Sequence, residues 1–180
     1  LRLTKSSRIV SKEGPFLDQL NFSEVRKDFK LRNDELIPSL EDILDLTKHK
    51  DTLMFLELKD RVGPETLTLI KTYFQDSLEK LRIISFDHSL LKLLKKQDAF
   101  FPNVKMMALH EIPRTTWIPS AIDGIEGVSA NIYNPLYAMY LKARGLEVGV
   151  WWLPDKIPPL VAKSLFGYID FFTTDNYKKY

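Results

Sequence analysis

The sequence contains no cysteine, only three histidines and no long apolar run. The lack of cysteine excludes a disulfide framework and thiolate zinc sites, and it leaves the compartment open. The histidines, His49, His88 and His110, lack the close spacing typical of metal ligands and are expected to be structural or solvated. No stretch approaches the roughly 20 apolar residues of a membrane span.

An excess of charge of one sign is also missing. Lysine plus arginine total 26 against 24 for aspartate plus glutamate, so no overall field favours a nucleic acid or an anionic membrane as partner. No Gly-x-Gly-x-x-Gly or Walker loop follows any apolar run, which disfavours a nucleotide-binding open sheet. The sequence therefore predicts neither a nucleic-acid partner nor a membrane span.

The chain has 180 residues, of which 44% are hydrophobic, enough for one sizeable core. We therefore predict a single domain over residues 1–180. Residue 1 is leucine and no methionine precedes Met54, so we expect the sequence to be the inside of a longer gene product.

Six short apolar runs alternate with helical patterns from Thr52 onward. Crossover helices return the chain to the same end of a sheet, so this alternation predicts a parallel sheet, in a (β/α) barrel or an open doubly wound fold. The runs are TLMFLELK, LRIISF, VKMMALH, GVSANI, LEVGVWW and IDFFTTD.

Several helices carry boundary signals. Ser39 followed by Asp42 predicts a capped start before an apolar face, and Asn134 with Pro135 predicts another start. Pro64 suits a first turn, and Gly145 suits a C-terminal exit.

In a barrel of this type, functional side chains lie at the carboxyl ends of the strands. Polar or aromatic residues stand at nearly every predicted strand end, as a site on this rim requires. These candidates are Glu57, Lys59, Ser85, Asp87, His110, Glu111, Asn131, Trp151, Trp152, Thr174 and Asp175.

The segment FLELKD places an acid and a lysine within an apolar run. Side chains alternate along a strand, so Glu57 and Lys59 share one face. Two interpretations fit: a solvated ion pair at a strand end, or a cation site beside an anion clamp at a catalytic rim.

The order of the motifs resembles the glycerophosphodiester phosphodiesterase family along almost the whole chain. IPSLEDIL resembles that family's Ile-Pro-Thr-Leu helix opening, FLELK its Glu-Ile-Lys strand and ISFD its Ser-Phe strand end. GLEVGVWW resembles its Gly-x-x-Val-x-x-Trp-Thr-Val strand, and IDFFTTD its closing Val-Asp-Gly-Ile-Ile-Thr-Asp. The resemblance implies an α/β fold of the (β/α)8 TIM-barrel type, lacking the first strand and most of the second, and a role in lipid metabolism.

The resemblance also implies roles for three residues. Glu57 matches a family ligand of a divalent cation, and Lys59 matches a lysine near the substrate phosphate. Trp151 matches the tryptophan that lines the glycerol pocket, although an ordinary barrel aromatic explains it equally well. Calcium or magnesium would suit a carboxylate site of this kind.

The front of the chain departs from the family pattern. The segment LRLTKSSRIVSKEGPFL aligns without a gap with the family's second-strand segment, but Glu13 stands at the catalytic histidine and Gly14 at its aspartate. The chain starts one position after the family's acid pair and contains neither of the two family histidines. A glutamate with an ordinary pKa near about 4.3 is a poor general acid at neutral pH unless burial raises that pKa.

Two explanations fit this front: a partial record of a longer protein, or a relative that has lost the chemistry. We expect a glycerophosphodiester phosphodiesterase-like domain, a phosphoric diester hydrolase by ancestry, that is inactive or impaired as it stands, with a divalent cation or none. The alternative is a pseudoenzyme that binds a phosphate or polyol ligand for regulation.

Overall fold

The computed structural model describes residues 19–31, 34–111, 123–131, 134–151 and 167–173. The chain divides into two compact units, Leu1–Lys50 and Asp51–Tyr180. The predictions for Glu13, Trp152, Thr174 and Asp175 fall outside the described residues.

The described residues of the first unit form two short helices, α1 (Phe22–Asp28) and α2 (Leu40–Thr47). The predicted cap of α2 is confirmed, because the Ser39 hydroxyl accepts from the Asp42 amide and the Asp42 carboxylate accepts from the Ser39 amide. Asn21 and Glu24 form the same reciprocal box before α1. Sequence analysis missed α1, although the spacing of Asn21 and Glu24 is a capping signal.

The second unit contains a sheet whose strands alternate with helices. The elements are β1 (Met54–Glu57), α3 (Pro64–Phe74), β2 (Leu81–Ser85), α4 (His88–Leu94), β3 (Lys105–His110), β4 (Gly127–Ala130), α5 (Pro135–Ala143), β5 (Glu147–Val150) and β6 (Phe171–Phe172). All six strands are parallel and pair in the order in which they occur along the chain. The prediction of a six-stranded parallel sheet is therefore confirmed.

The sheet is curled. Phe55 on β1 and Phe171 on β6 lie on the two outermost strands of the pairing order, yet their ring centroids are 5.2 Å apart in an edge-to-face contact. Such a contact requires the sheet to bend until side chains of its first and last strands meet. The sheet is thus the wall of an incomplete (β/α) barrel, as the family resemblance implies, and the open doubly wound alternative is excluded.

The two faces of the curled sheet differ in chemistry. Apolar side chains on the helix-facing side are buried, among them Leu81, Ile83, Met106, Ala108, Val128 and Val148. Burial of these side chains between strands and helices supplies the main driving force for folding this unit.

None of the helices in the described ranges is long and apolar enough to cross a membrane.

The opposite, concave face holds an ion cluster near the amino ends of its strands. Arg82 on β2 donates two hydrogen bonds to Glu147 on β5, with Nε to Oε2 at 2.8 Å and Nη2 to Oε1 at 3.0 Å. Lys105 on β3 donates to the same carboxylate at 2.5 Å. Burial alone would raise the pKa of Glu147, but the hydrogen bonds from Arg82 and Lys105 outweigh burial and lower it.

This cluster was not predicted from the sequence. It joins three strands across the concave face, at the end of the sheet away from the predicted functional rim. Its role is therefore structural.

Candidate functional site

Glu57 and Lys59 form an ion pair at the carboxyl end of β1. The Lys59 ammonium donates to Glu57 Oε1 at 2.9 Å, and the two side chains are 60% and 31% exposed, respectively. Alternation from Phe55 places Glu57 on the concave side of the curled sheet. The prediction that these two charges project to the same side is confirmed.

A cleft of about 620 Å³ lies over the carboxyl ends of β1 and β2. It is lined by Glu57, Leu58, Lys59, Ser85, Phe86, Asp87 and His88. Four of the predicted rim residues, Glu57, Lys59, Ser85 and Asp87, are therefore brought together around one cavity.

Ser85 and Asp87 hold the backbone of the cleft in place. The buried Ser85 hydroxyl donates to the Leu58 carbonyl at 2.6 Å and accepts from the Asp87 amide at 3.0 Å. The Asp87 carboxylate caps α4, accepting from the amides of Ser89 and Leu90 at 2.9 and 3.1 Å. Hydrogen bonds from the Ser89 hydroxyl and the Leu90 amide lower the pKa of Asp87. Both side chains thus have positioning roles.

Two aromatic rings meet beside the cleft. Trp151 follows β5 and Phe86 follows β2, and their ring centroids are 6.0 Å apart with an interplanar angle of 85°. The Trp151 amide donates to the Ala130 carbonyl at 3.0 Å, which fixes the backbone at this point. Alternation along both strands places these rings on the concave side. The role of Trp151 in a glycerol pocket stays a prediction from the resemblance, and Phe86 was not predicted from the sequence.

The indole nitrogen of Trp151 is buried and has no hydrogen-bond partner in the described part of the chain. Buried N–H groups in folded proteins nearly always have an acceptor.

His110 does not line the cleft. It ends β3 on the helix-facing side, where its ring lies 6.5 Å from His88 and 6.4 Å from Tyr137, between ring centroids. His88 Nε2 lies 3.0 Å from the Leu109 carbonyl oxygen. Burial, followed by the nearby His88, lowers the pKa of His110.

The remaining rim candidates add little to the cleft. Glu111 follows β3 and is exposed. The backbone N–H of Asn131 donates a hydrogen bond to the His110 carbonyl at 3.1 Å. Neither residue lines the cleft between Glu57 and His88.

The described residues do not fit a calcium or magnesium ion. No group of three histidine, aspartate or glutamate side chains within the described ranges is close enough to hold one. Glu57 already shares one oxygen with Lys59, and hard cations of this kind take about six or more oxygen ligands. The divalent cation therefore stays a prediction from the family resemblance.

No family model matches the chain, and no curated protein matches it. Several solved structures do match the chain. A provisionally assigned glycerophosphodiester phosphodiesterase from Galdieria sulphuraria has a TM-score of 0.69 and 22% identity, over 89% of this chain and 68% of that one. A glycerophosphodiester phosphodiesterase from Parabacteroides distasonis has a TM-score of 0.66 and 23% identity, over 88% and 68% of the two chains. The chain therefore has, in incomplete form, the (β/α)8 barrel fold of the glycerophosphodiester phosphodiesterases.

Proposed function

We propose that residues 1–180 form a partial glycerophosphodiester phosphodiesterase-like domain that binds a glycerophosphodiester, with cleavage impaired or absent in the chain as it stands. The observation that carries this proposal is the convergence of Lys59 with Phe86 and Trp151 at the carboxyl ends of the strands. This is the end at which barrels of this type bind their ligands.

The side chains suit the two parts of such a ligand. Lys59 offers an exposed ammonium to a phosphate, and charge-assisted hydrogen bonds of this kind are stronger than hydrogen bonds between neutral groups. Phe86 and Trp151 offer apolar ring surface to the carbon skeleton of glycerol, and the Trp151 N–H can donate to a hydroxyl or phosphate oxygen.

Impaired cleavage follows from the chemistry at the family's histidine position. Glu13 and Gly14 replace the histidine and aspartate of the motif, so the expected proton donor and its orienting partner are both changed. His110 does not replace them, because it faces the helices. The cleft does contain His88, but one ring nitrogen of that residue lies within hydrogen-bond distance of the Leu109 carbonyl.

The second candidate function is a pseudoenzyme module that recognises a phosphate or polyol for binding or regulation. The ion pair between Glu57 and Lys59 favours it, since a carboxylate engaged in this way is a weak metal ligand. The double substitution Glu13→His with Gly14→Asp, in the full-length gene product, separates the two. A gain in glycerophosphocholine cleavage would mean that only those residues were lost, whereas no gain would favour the binding module.

Binding itself is tested by titrating glycerophosphocholine into the folded protein by calorimetry. Lys59→Gln is expected to weaken binding about tenfold, because it removes a charge-assisted hydrogen bond. Lys80→Gln is the matched control, since Lys80 pairs with Asp51 at the other end of β1 and β2. Equal affinities in the wild type and the Lys59 variant would contradict the proposed site.

A further inference from the structure

The carboxylate at the family's metal-ligand position already has a cation beside it. Lys59 Nζ lies 2.9 Å from Glu57 Oε1, within the lining of the same cleft. Only one residue separates Glu57 from Lys59 at the end of β1. The Lys59 ammonium is therefore always close to the Glu57 carboxylate, at a high effective concentration.

A divalent ion bound by Glu57 would lie next to that ammonium and would be repelled by its charge. It would then find few other oxygens, because the carboxylate of Asp87 is engaged in capping α4 and the Ser85 hydroxyl is bonded to the Leu58 carbonyl. Calcium and magnesium take about six or more oxygen ligands, of which water and phosphate can supply several, and within the described ranges no group of three or more histidine, aspartate or glutamate side chains could hold either ion.

We infer that Lys59 takes the place of a metal ion beside Glu57, so that the cleft binds a phosphate-bearing ligand without a divalent cation. The inference rests on the proposed function, since it concerns the same site. This inference differs from the family pattern in the role of Glu57. In the family pattern this glutamate binds a metal ion, whereas here it pairs with the Lys59 ammonium and restrains it.

The restraint has a direct physical cause. A phosphate oxygen and Glu57 compete for the same ammonium, and the negative charge of Glu57 also repels the incoming anion. The Lys59 side chain is largely exposed to water and that of Glu57 is partly exposed, and ion pairs in such positions are weak. Removing the charge with Glu57→Gln should therefore raise phosphate affinity only about two- to fivefold.

The test uses inorganic phosphate and glycerol 3-phosphate, titrated by calorimetry into the wild type in EDTA and again in excess Mg²⁺ or Ca²⁺. Glu57→Gln and Lys59→Gln are measured in parallel, with circular dichroism to confirm folding. The matched control for charge is Asp51→Asn, which removes an acid that pairs with Lys80 outside the cleft.

The expected result is phosphate binding that changes less than about twofold on adding either cation, rises in Glu57→Gln, stays unchanged in Asp51→Asn and weakens about tenfold in Lys59→Gln. Binding that Mg²⁺ or Ca²⁺ strengthens tenfold or more, with this gain abolished in Glu57→Gln, would overturn the inference and leave the proposed function standing. Absence of binding in the wild type, or equal affinities in the wild type and Lys59→Gln, would overturn the proposed function itself and the inference with it.

Discussion

Glu147 balances two cations on the concave face of the sheet. The Arg82 side chain is only 8% exposed, and removing the charge of its partner would leave a buried cation bonded to the backbone carbonyls of Glu79 and Leu81 but without an opposite charge from Glu147. We expect Glu147→Gln to lower the free energy of unfolding by about 3 kcal/mol, measured by urea denaturation.

The control for this substitution is Asp123→Asn. Asp123 pairs with Arg144 at 3.3 Å, but both side chains are well exposed, so the expected loss is below about 0.5 kcal/mol. Equal losses in the two variants would show that the Arg82 pair contributes no more than a surface pair.

His110 gives the stability of the protein a pH dependence. Burial and the nearby His88 hold the pKa of His110 below its ordinary value, so the folded state binds a proton less readily than the unfolded chain. The stability from this residue is therefore complete above about pH 6.5 and falls as the pH drops from there towards the lower folded pKa.

This dependence is measured as the urea midpoint at pH 8.0 and at pH 5.5. The wild type should lose more stability between the two than His110→Gln, which has no group to titrate at that position. Parallel losses in both proteins would assign the acid sensitivity to other groups.

Single residues could be predicted from the sequence where the information is local. Glu57 and Lys59 share a side because side chains alternate along any strand. The partners of Arg82 and Phe86 could not be predicted, because Glu147 is 65 residues from Arg82 and Trp151 is equally remote from Phe86. Those contacts depend on how far the sheet curls, which no local pattern specifies.

At the scale of elements, caps decide where the helices begin. The predicted start of α5 is confirmed, since Asn134 Oδ1 accepts from the Tyr137 amide at 3.1 Å and Pro135 occupies the first turn. Asn134→Ala should lower the free energy of unfolding by about 1 kcal/mol in a denaturation experiment, because that amide loses its acceptor. Asn134→Asp keeps an acceptor oxygen and should cost much less, and a matching loss would contradict the capping role.

Strand β4 begins at a glycine because its neighbours leave no room. A Cβ on Gly127 would lie 2.8 Å from Met107 Cγ and 3.0 Å from the Glu147 carbonyl oxygen. Gly127→Ala is therefore expected to destabilise the protein by about 1–3 kcal/mol, seen as a lower thermal midpoint.

Gly167→Ala is the control for that substitution. Among the described residues nothing lies within 4 Å of a Cβ at position 167, so this change should be neutral or slightly stabilising. A tolerated alanine at 127 would mean that Met107 and the β5 backbone move aside at little cost.

Across the whole molecule, the alternation of strands and helices predicts a parallel sheet, but it leaves the strand order open between a barrel and an open doubly wound fold. In the structure the six strands pair in chain order, as they do in a barrel. Curvature is a collective property of strand twist and tilt, and the contact between Phe55 and Phe171 on the two outermost strands reveals it.

The decisive experiment is to measure choline release from glycerophosphocholine by the full-length gene product, with and without calcium or magnesium, beside Glu57→Ala. We expect the folded protein to bind the diester and to show no cation-dependent release, in the wild type and the variant alike. Cation-dependent release that is lost in Glu57→Ala would contradict it, and would assign Glu57 to a working metal site.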